Sequence, residues 1–206
     1  MTAYDVKREL KALYAPRNTT WSLVDVPELR YLAIDGTGDP NTAPAYAAAV
    51  QALYCVAYTV KFATKRGGGQ DFVVGPLEGL WYSDDPDVFA TRAKSRWSWT
   101  MLIHQPEWVT TDAVEQAKEA ALAKKKLPGI ADVRHEALTE GRCAQLLHVG
   151  SYDDESPALT ELHERWIPDN GLRESGSHHE IYLGDPRRTV PAKLKTVLRQ
   201  PVAEAG

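Results

Sequence analysis

The chain has 206 residues, 43% hydrophobic, 25% charged and 9% aromatic, with 24 basic against 28 acidic side chains for a formal net charge of -4. That make-up fits an ordinary globular protein, either one large domain or two small similar units sharing a core, and its acidic balance and scattered cations weigh against a nucleic-acid partner. No apolar run reaches the length of a membrane span, the N-terminus lacks a signal-peptide core and so implies a cytoplasmic protein, and Cys55 and Cys143 are too few for a disulfide framework or a zinc cluster.

Val6, Leu10, Leu13 and Tyr14 fall at helical spacing over residues 5–14, and Pro16 stops the pattern, which predicts a short docking helix. Residues 29–35 alternate as a strand, and Gly36-Thr-Gly-Asp-Pro-Asn-Thr is turn chemistry. From about Pro44 a helix carries the stripe Tyr46, Val50, Leu53, Tyr54, Ala57 and Val60, with Thr42 as its N-cap. It ends before Arg66-Gly-Gly-Gly-Gln70, a run that follows a helix and opens a strand, the reverse of a phosphate loop, and so reads as a connector. Strands are predicted over 72–82 and 96–104, separated by a loop over 83–87 and a short helical or irregular stretch. A second helix over 112–126 opens with an Asp112-x-x-Glu115 capping box and stops at Pro128-Gly129, its terminal lysines suiting the negative end of the helix dipole.

The later residues repeat this order. Residues 144–149 read as a strand, 150–157 as a turn with a helix cap, and Leu159, Leu162 and Trp166 as a helical stripe. A strand over 180–183 and a closing helix from about 189 to 198 follow. Leu32-Ala-Ile-Asp-Gly36-Thr-Gly-Asp39 lines up with Leu146-Leu-His-Val-Gly150-Ser-Tyr-Asp153, matching Leu, Gly and Asp at one offset. This points to an internal duplication inside a single domain over 1–206, with units over 21–110 and 111–206.

Serine-hydrolase and zinc-protease signatures are absent: there is no Gly-x-Ser-x-Gly elbow, and His163-Glu164 is not followed by a histidine at zinc-binding spacing. His178 and His179 are adjacent and point to opposite faces of a strand, so neither metal nor cofactor is expected. In that strand, period two puts His179, Ile181 and Leu183 on one face, expected to meet helices, and His178, Glu180 and Tyr182 on the other. A carboxylate and a phenol two residues apart suit a polar, aromatic groove, with a solvated sheet face as the alternative. Glu78, Trp81, Tyr82, Trp97 and Trp99 fall in neighbouring strands of the first half, with Trp97, Trp99 and Met101 stacked on one face. So many rings exceed what a core absorbs, and some are expected to line a pocket. Tyr46, Tyr152 and Trp166 are further candidates, each on or beside a helix stripe that would bury it.

On these residues the chain resembles the GyrI-like small-molecule-binding family, in its stand-alone form without a DNA-binding domain. The resemblance runs over nearly the whole chain. It is carried by Leu10-Lys-Ala-Leu-Tyr-Ala-Pro, Leu32-Ala-Ile-Asp-Gly-Thr-Gly-Asp-Pro-Asn41, Pro76-Leu-Glu-Gly-Leu-Trp81, Trp97-Ser-Trp-Thr-Met with His104-Gln-Pro, and His179-Glu-Ile-Tyr-Leu-Gly-Asp-Pro-Arg-Arg188. It implies an α+β fold of two strand-helix-strand-strand units related by a pseudo-twofold axis, with antiparallel sheets forming a ligand groove between them. In related multidrug-responsive activators a buried acid among aromatic rings takes hydrophobic, often cationic ligands, and Glu180 matches that acid. The chain has no helix-turn-helix pattern, so a direct regulator role is not expected. Some stand-alone members look like hydrolases of cyclopropanoid genotoxins of the duocarmycin class, a detoxifying and self-resistance activity.

The resemblance therefore implies a planar hydrophobic small molecule as partner. Glu180 would act as general base on the attacking water and Tyr182 would orient that water or the ligand. Glu78, Trp81, Tyr82, Trp97, Trp99 and Tyr152 would contact the ligand. Non-catalytic sequestration of a hydrophobic or cationic drug is the alternative. DNA gyrase, whose inhibitor names the family, is not expected as a partner, because an aromatic groove suits a small molecule better than a protein surface.

Overall fold

Residues 2–85 and 93–206 are described in the structure, a computed structural model. The frame is an open antiparallel sheet. Strands β1 (Ser22–Val26), β2 (Leu29–Thr37), β3 (Leu77–Tyr82), β4 (Ser98–Gln105), β5 (Arg134–Leu138), β6 (Gly141–Val149), β7 (Leu172–Glu174), β8 (His178–Tyr182) and β9 (Lys195–Glu204) build it. The spatial order is β1-β6-β9-β8-β3-β4-β2-β5, and β7 pairs the far end of β9. Read from either edge the order has the same form: β3 and β8 meet at the centre, and the first strand of each half crosses over, β1 onto β6 and β5 onto β2. Each half is thus edged by a strand lent from the other.

Helix α3 (Pro44–Arg66) packs Leu53 and Val56 on Met101 and Ile103, with α4 (Thr111–Lys125) beside it through Val114 and Ala117. In the second half α5 (Ser156–Glu161), a π turn (Leu162–Trp166) and α6 (Ile167–Asp169) set Leu162 and Ile167 against Leu146 and Leu198. Met101 and Leu198 flank the cross-strand pair Gly79–Glu180, so both helical layers lie on the face that Glu180 points to. The opposite face presents Tyr31, Ala33, Leu102, Ile181 and Val197 to two single turns, α1 (Val6–Glu9) and α2 (Lys11–Tyr14).

Several expectations are corrected here. The closing helix over 189–198 is a 3-10 turn, Pro191–Lys193, followed by β9. That strand lies between β6 and β8 and is buried on both faces over 196–200, so it shows no alternation. The N-terminal helix breaks at Leu10 (φ -109°, ψ 51°) into two turns. The apolar face of β8 meets these turns, and the large helices cover the other side. The ladder of β3 begins at Leu77, while Phe72 makes only an isolated parallel bridge to Tyr4. Ala43 takes the N-cap of α3, with Pro44 pre-set at N1, and Thr110 caps α4 by accepting the Ala113 amide at 3.2 Å. The loop expected over 83–87 and the stretch after it run into residues 86–92, outside the described residues. Among the described residues no helix is long and apolar enough to cross a membrane.

Candidate functional site

Because α3 and the helical stretch over 152–166 each sit on their own half of the sheet, they stand apart above the β3–β8 junction. Between them runs a groove of about 1890 Å³, larger than the roughly 300–1,000 Å³ of a typical drug-sized site. Leu77, Trp81, Glu180, Tyr182 and Gln200 form its floor; Tyr46 and Tyr54 of α3 face Tyr152, Glu155 and Leu159 across it.

Glu180 is the centre of the floor. Gly79 lies directly opposite it in the ladder, and the missing side chain lets the Trp81 indole fold back; a Cβ at Gly79 would stand 3.1 Å from Trp81 Nε1. Trp81 Nε1 donates to the Tyr182 hydroxyl (3.1 Å), which donates to Glu180 Oε2 (2.7 Å). The other oxygen, Oε1, is 3.6 Å from His178 Nε2. Burial pushes the Glu180 carboxyl up to about 6, opposed by the Tyr182 bond and then by the charge of His179.

A second acid stands across the groove. Burial, and after it the Glu180 charge, lifts Glu155 to about 9, which favours its protonated form. Its Oε1 has no hydrogen-bond partner among the described residues. His178 is pushed down to about 3 by burial and then by the neighbouring histidines, and among the described residues neither ring nitrogen has a hydrogen bond of good geometry. Aromatic edges surround the acids: Tyr152 meets Tyr182 edge-on with centroids 5.5 Å apart, and Trp81 meets Trp97 likewise at 5.5 Å. Lys94 Nζ lies 5.8 Å from the Trp97 ring centroid and 3.7 Å from Asp153.

The structure brings Glu180, Tyr182, Trp81, Trp97 and Tyr152 together in the groove and sets Tyr82 at its rim, with the Tyr82 hydroxyl 3.5 Å from Thr100 Oγ1. Glu78 and Trp99, expected to contact the ligand, do not line it. Glu78 precedes Gly79 and so projects through the opposite face, fully buried among Tyr14 and His179. Trp99 is core: its ring lies over Gly36, its Nε1 donates to the Gly38 carbonyl (3.3 Å), and it supports Tyr46 edge-on at 5.3 Å. Trp166 packs into the second-half core, whereas Tyr46 does reach the groove. Sequence reasoning missed Glu155 and Lys94. Glu155 directly precedes the proline-started helix Ser156-Pro157, and only the tertiary fold turns it inward.

The GyrI-like small molecule binding domain family matches the chain over residues 19–203. A comparison with functionally curated proteins gives no match. Among solved structures, an uncharacterised conserved protein from Listeria innocua is 40% identical, with a TM-score of 0.89 over 97% of this chain and 100% of that one. Two Listeria innocua structures described as hydrolases are 40% and 39% identical, with TM-scores of 0.84 and 0.87 over 97% and 98% of this chain and 100% of theirs. Since the match runs from before β1 to within a residue of the end of β9 and takes in the strands beneath the groove, the chain belongs to the GyrI-like small-molecule-binding domain family.

Proposed function

We propose that the groove binds a planar hydrophobic molecule carrying a strained, carbonyl-conjugated cyclopropane of the duocarmycin type and hydrolyses it. The observation that carries this reading is a pair of buried acids on facing sides of the groove, Glu180 hydrogen-bonded to Tyr182 and Glu155 with an oxygen that has no partner among the described residues; burial raises both, Glu155 further than Glu180. Such a split assigns a base and an acid. The description of 40%-identical Listeria innocua structures as hydrolases supports the reaction class.

The oxygen of a water bonds to the unsubstituted ring carbon, the bond from that carbon to the spiro centre breaks, and its electron pair passes through the conjugated ring to the carbonyl oxygen. Glu180 takes the proton that the water loses. Glu155 gives a proton to the carbonyl oxygen, which stays in the product as a neutral phenol hydroxyl, and solvent then returns both acids to their starting states. Burial and the Glu180 charge raise Tyr182 well above its ordinary value, so it keeps its proton and orients Glu180. The flanking rings hold the flat body of the ligand. The product no longer alkylates, which makes the role detoxifying.

The test mixes catalytic amounts of protein with a duocarmycin-type cyclopropane and follows water-added product by mass spectrometry. Many turnovers are expected from the wild type, and a loss of about 10²- to 10⁴-fold in Glu180→Gln with binding retained. Full turnover by Glu180→Gln would overturn the assignment. A second reading, sequestration of a hydrophobic cation, draws on the lone carboxylate among rings. Against it, Lys94 already holds an ammonium over Trp97 and Glu155 is neutral. Stoichiometric protection, with ligand recovered unchanged on denaturation, would favour sequestration.

A further inference from the structure

Behind the groove floor lies a sealed cluster of charge. On β8, Glu180 faces the ligand space and its neighbour His179 faces the other way, toward α2. His179 Nδ1 meets Glu140 Oε1 at 2.9 Å and its Nε2 meets Glu78 Oε2 at 3.0 Å. The side chains of His179 and Glu78 are both 0% exposed. Arg199 donates to the second oxygen of Glu140 at 2.9 Å, and to Gln145 Oε1 and the Leu13 carbonyl at 3.0 Å each. The Tyr14 hydroxyl donates to Glu78 at 3.1 Å.

Burial pushes the Glu78 carboxyl up and the His179 bond opposes it; with Glu78 and Glu140 both ionised, the imidazole between them donates from both nitrogens and carries two protons. The cluster therefore sets two cations against two carboxylates and leaves no charge uncompensated. Packed apolar side chains would fill such a space with equal or greater stability, so the ions call for an explanation beyond holding the sheet together. We propose that His179 is a positioning residue for Glu180: a sealed imidazolium that ties β8 to β3 through Glu78 and to β9 through Glu140 and Arg199, and places positive charge directly beneath the groove carboxylate.

Among the described residues, the other groups facing Glu180 are His178 and Tyr182 on its own strand, Trp81 on β3, Tyr46 on α3, Tyr152 and Glu155 on the opposite wall, and Lys94 at the rim. Burial favours the neutral forms of His178 and Glu155, so the buried positive charge next to Glu180 is that of His179, with Arg199 beyond it in the cluster. The inference rests on the proposed reading only for the importance of Glu180, and its test involves no substrate.

The experiment is a carbon-13 NMR titration of glutamate-labelled, ligand-free protein, with the Glu180 carboxyl identified by its disappearance in Glu180→Gln. His179→Gln removes the charge, His179→Lys keeps it, and Tyr14→Phe weakens the cluster without changing any charge. The Glu180 midpoint is expected to rise by about one pH unit in His179→Gln and to stay at the wild-type value in the other two. Equal shifts in all three variants, or none in His179→Gln, would overturn the inference. Should His179→Gln fail to fold, nitrogen-15 spectra of the wild-type histidine rings decide: two protonated nitrogens on His179 at neutral pH are expected, and a neutral tautomer would sink it. Either failure leaves the hydrolysis reading standing, and absence of turnover leaves this one standing.

Discussion

Glu155 holds its proton at a cost that can be measured. Its folded pKa lies above the ordinary carboxyl value, at about 9 against 4.5, so the folded state binds that proton more tightly than the unfolded chain does. The associated stability is complete below about 4.5 and drains away as pH rises toward 9. Glu155→Gln is accordingly expected to raise the thermal midpoint in mildly alkaline buffer, by a few degrees, while leaving it unchanged in acid, and to lower turnover. Calorimetry at the two pH values, set beside the product assay, checks both halves. Gly36 offers a steric counterpart. A methyl there would lie 2.0 Å from the Trp99 ring, so Gly36→Ala is expected to cost about 1–3 kcal/mol in urea denaturation. It should also weaken ligand binding, because Trp99 supports Tyr46.

Among the elements, β8 was the most legible in sequence, because one of its faces is groove and the other core, and His178, Glu180 and Tyr182 alternate cleanly. The same alternation in β3 separates Glu78 from Trp81 and sends Glu78 through the face away from the groove, against the expectation that it contacts the ligand. Glu78 belongs with His179, a pairing across strands that no local pattern reveals. β9 was illegible because both of its faces are buried, so Leu194, Val197 and Leu198 imitate a helical stripe. β1, β5 and β7 span only three to five residues each and gain their definition from partners distant in the chain. α4 stops within a residue of its expected end, but local sequence does not signal the conformation there: Lys126 adopts the left-handed region at φ 49°. Lys126→Gly is expected to stabilise the protein by up to about 1 kcal/mol, read as a higher urea midpoint.

For the molecule as a whole, the sealed cluster sets limits on both sides of neutrality. Burial opposes the charge of His179, but Glu140 and Glu78 outweigh it and raise the imidazole from 6.5 to about 9; its contribution is complete below 6.5 and lost as pH climbs through 9. Glu140 is lowered from 4.5 to about 2 against its burial by His179 and Arg199; its contribution is complete above 4.5 and lost as pH falls toward 2. Urea midpoints are therefore expected to peak in mildly acidic buffer and decline on both sides, and a profile still rising at about pH 9 would contradict the assignment. The crossing of β1 and β5 bears on how the molecule comes apart. A protease that cuts among the exposed lysines 124–126 would separate the chain into two pieces, yet each piece would keep a strand woven into the other's sheet. Such nicked protein should elute as a single particle under native conditions, and the two fragments, expressed apart, should recover a complete groove only when mixed.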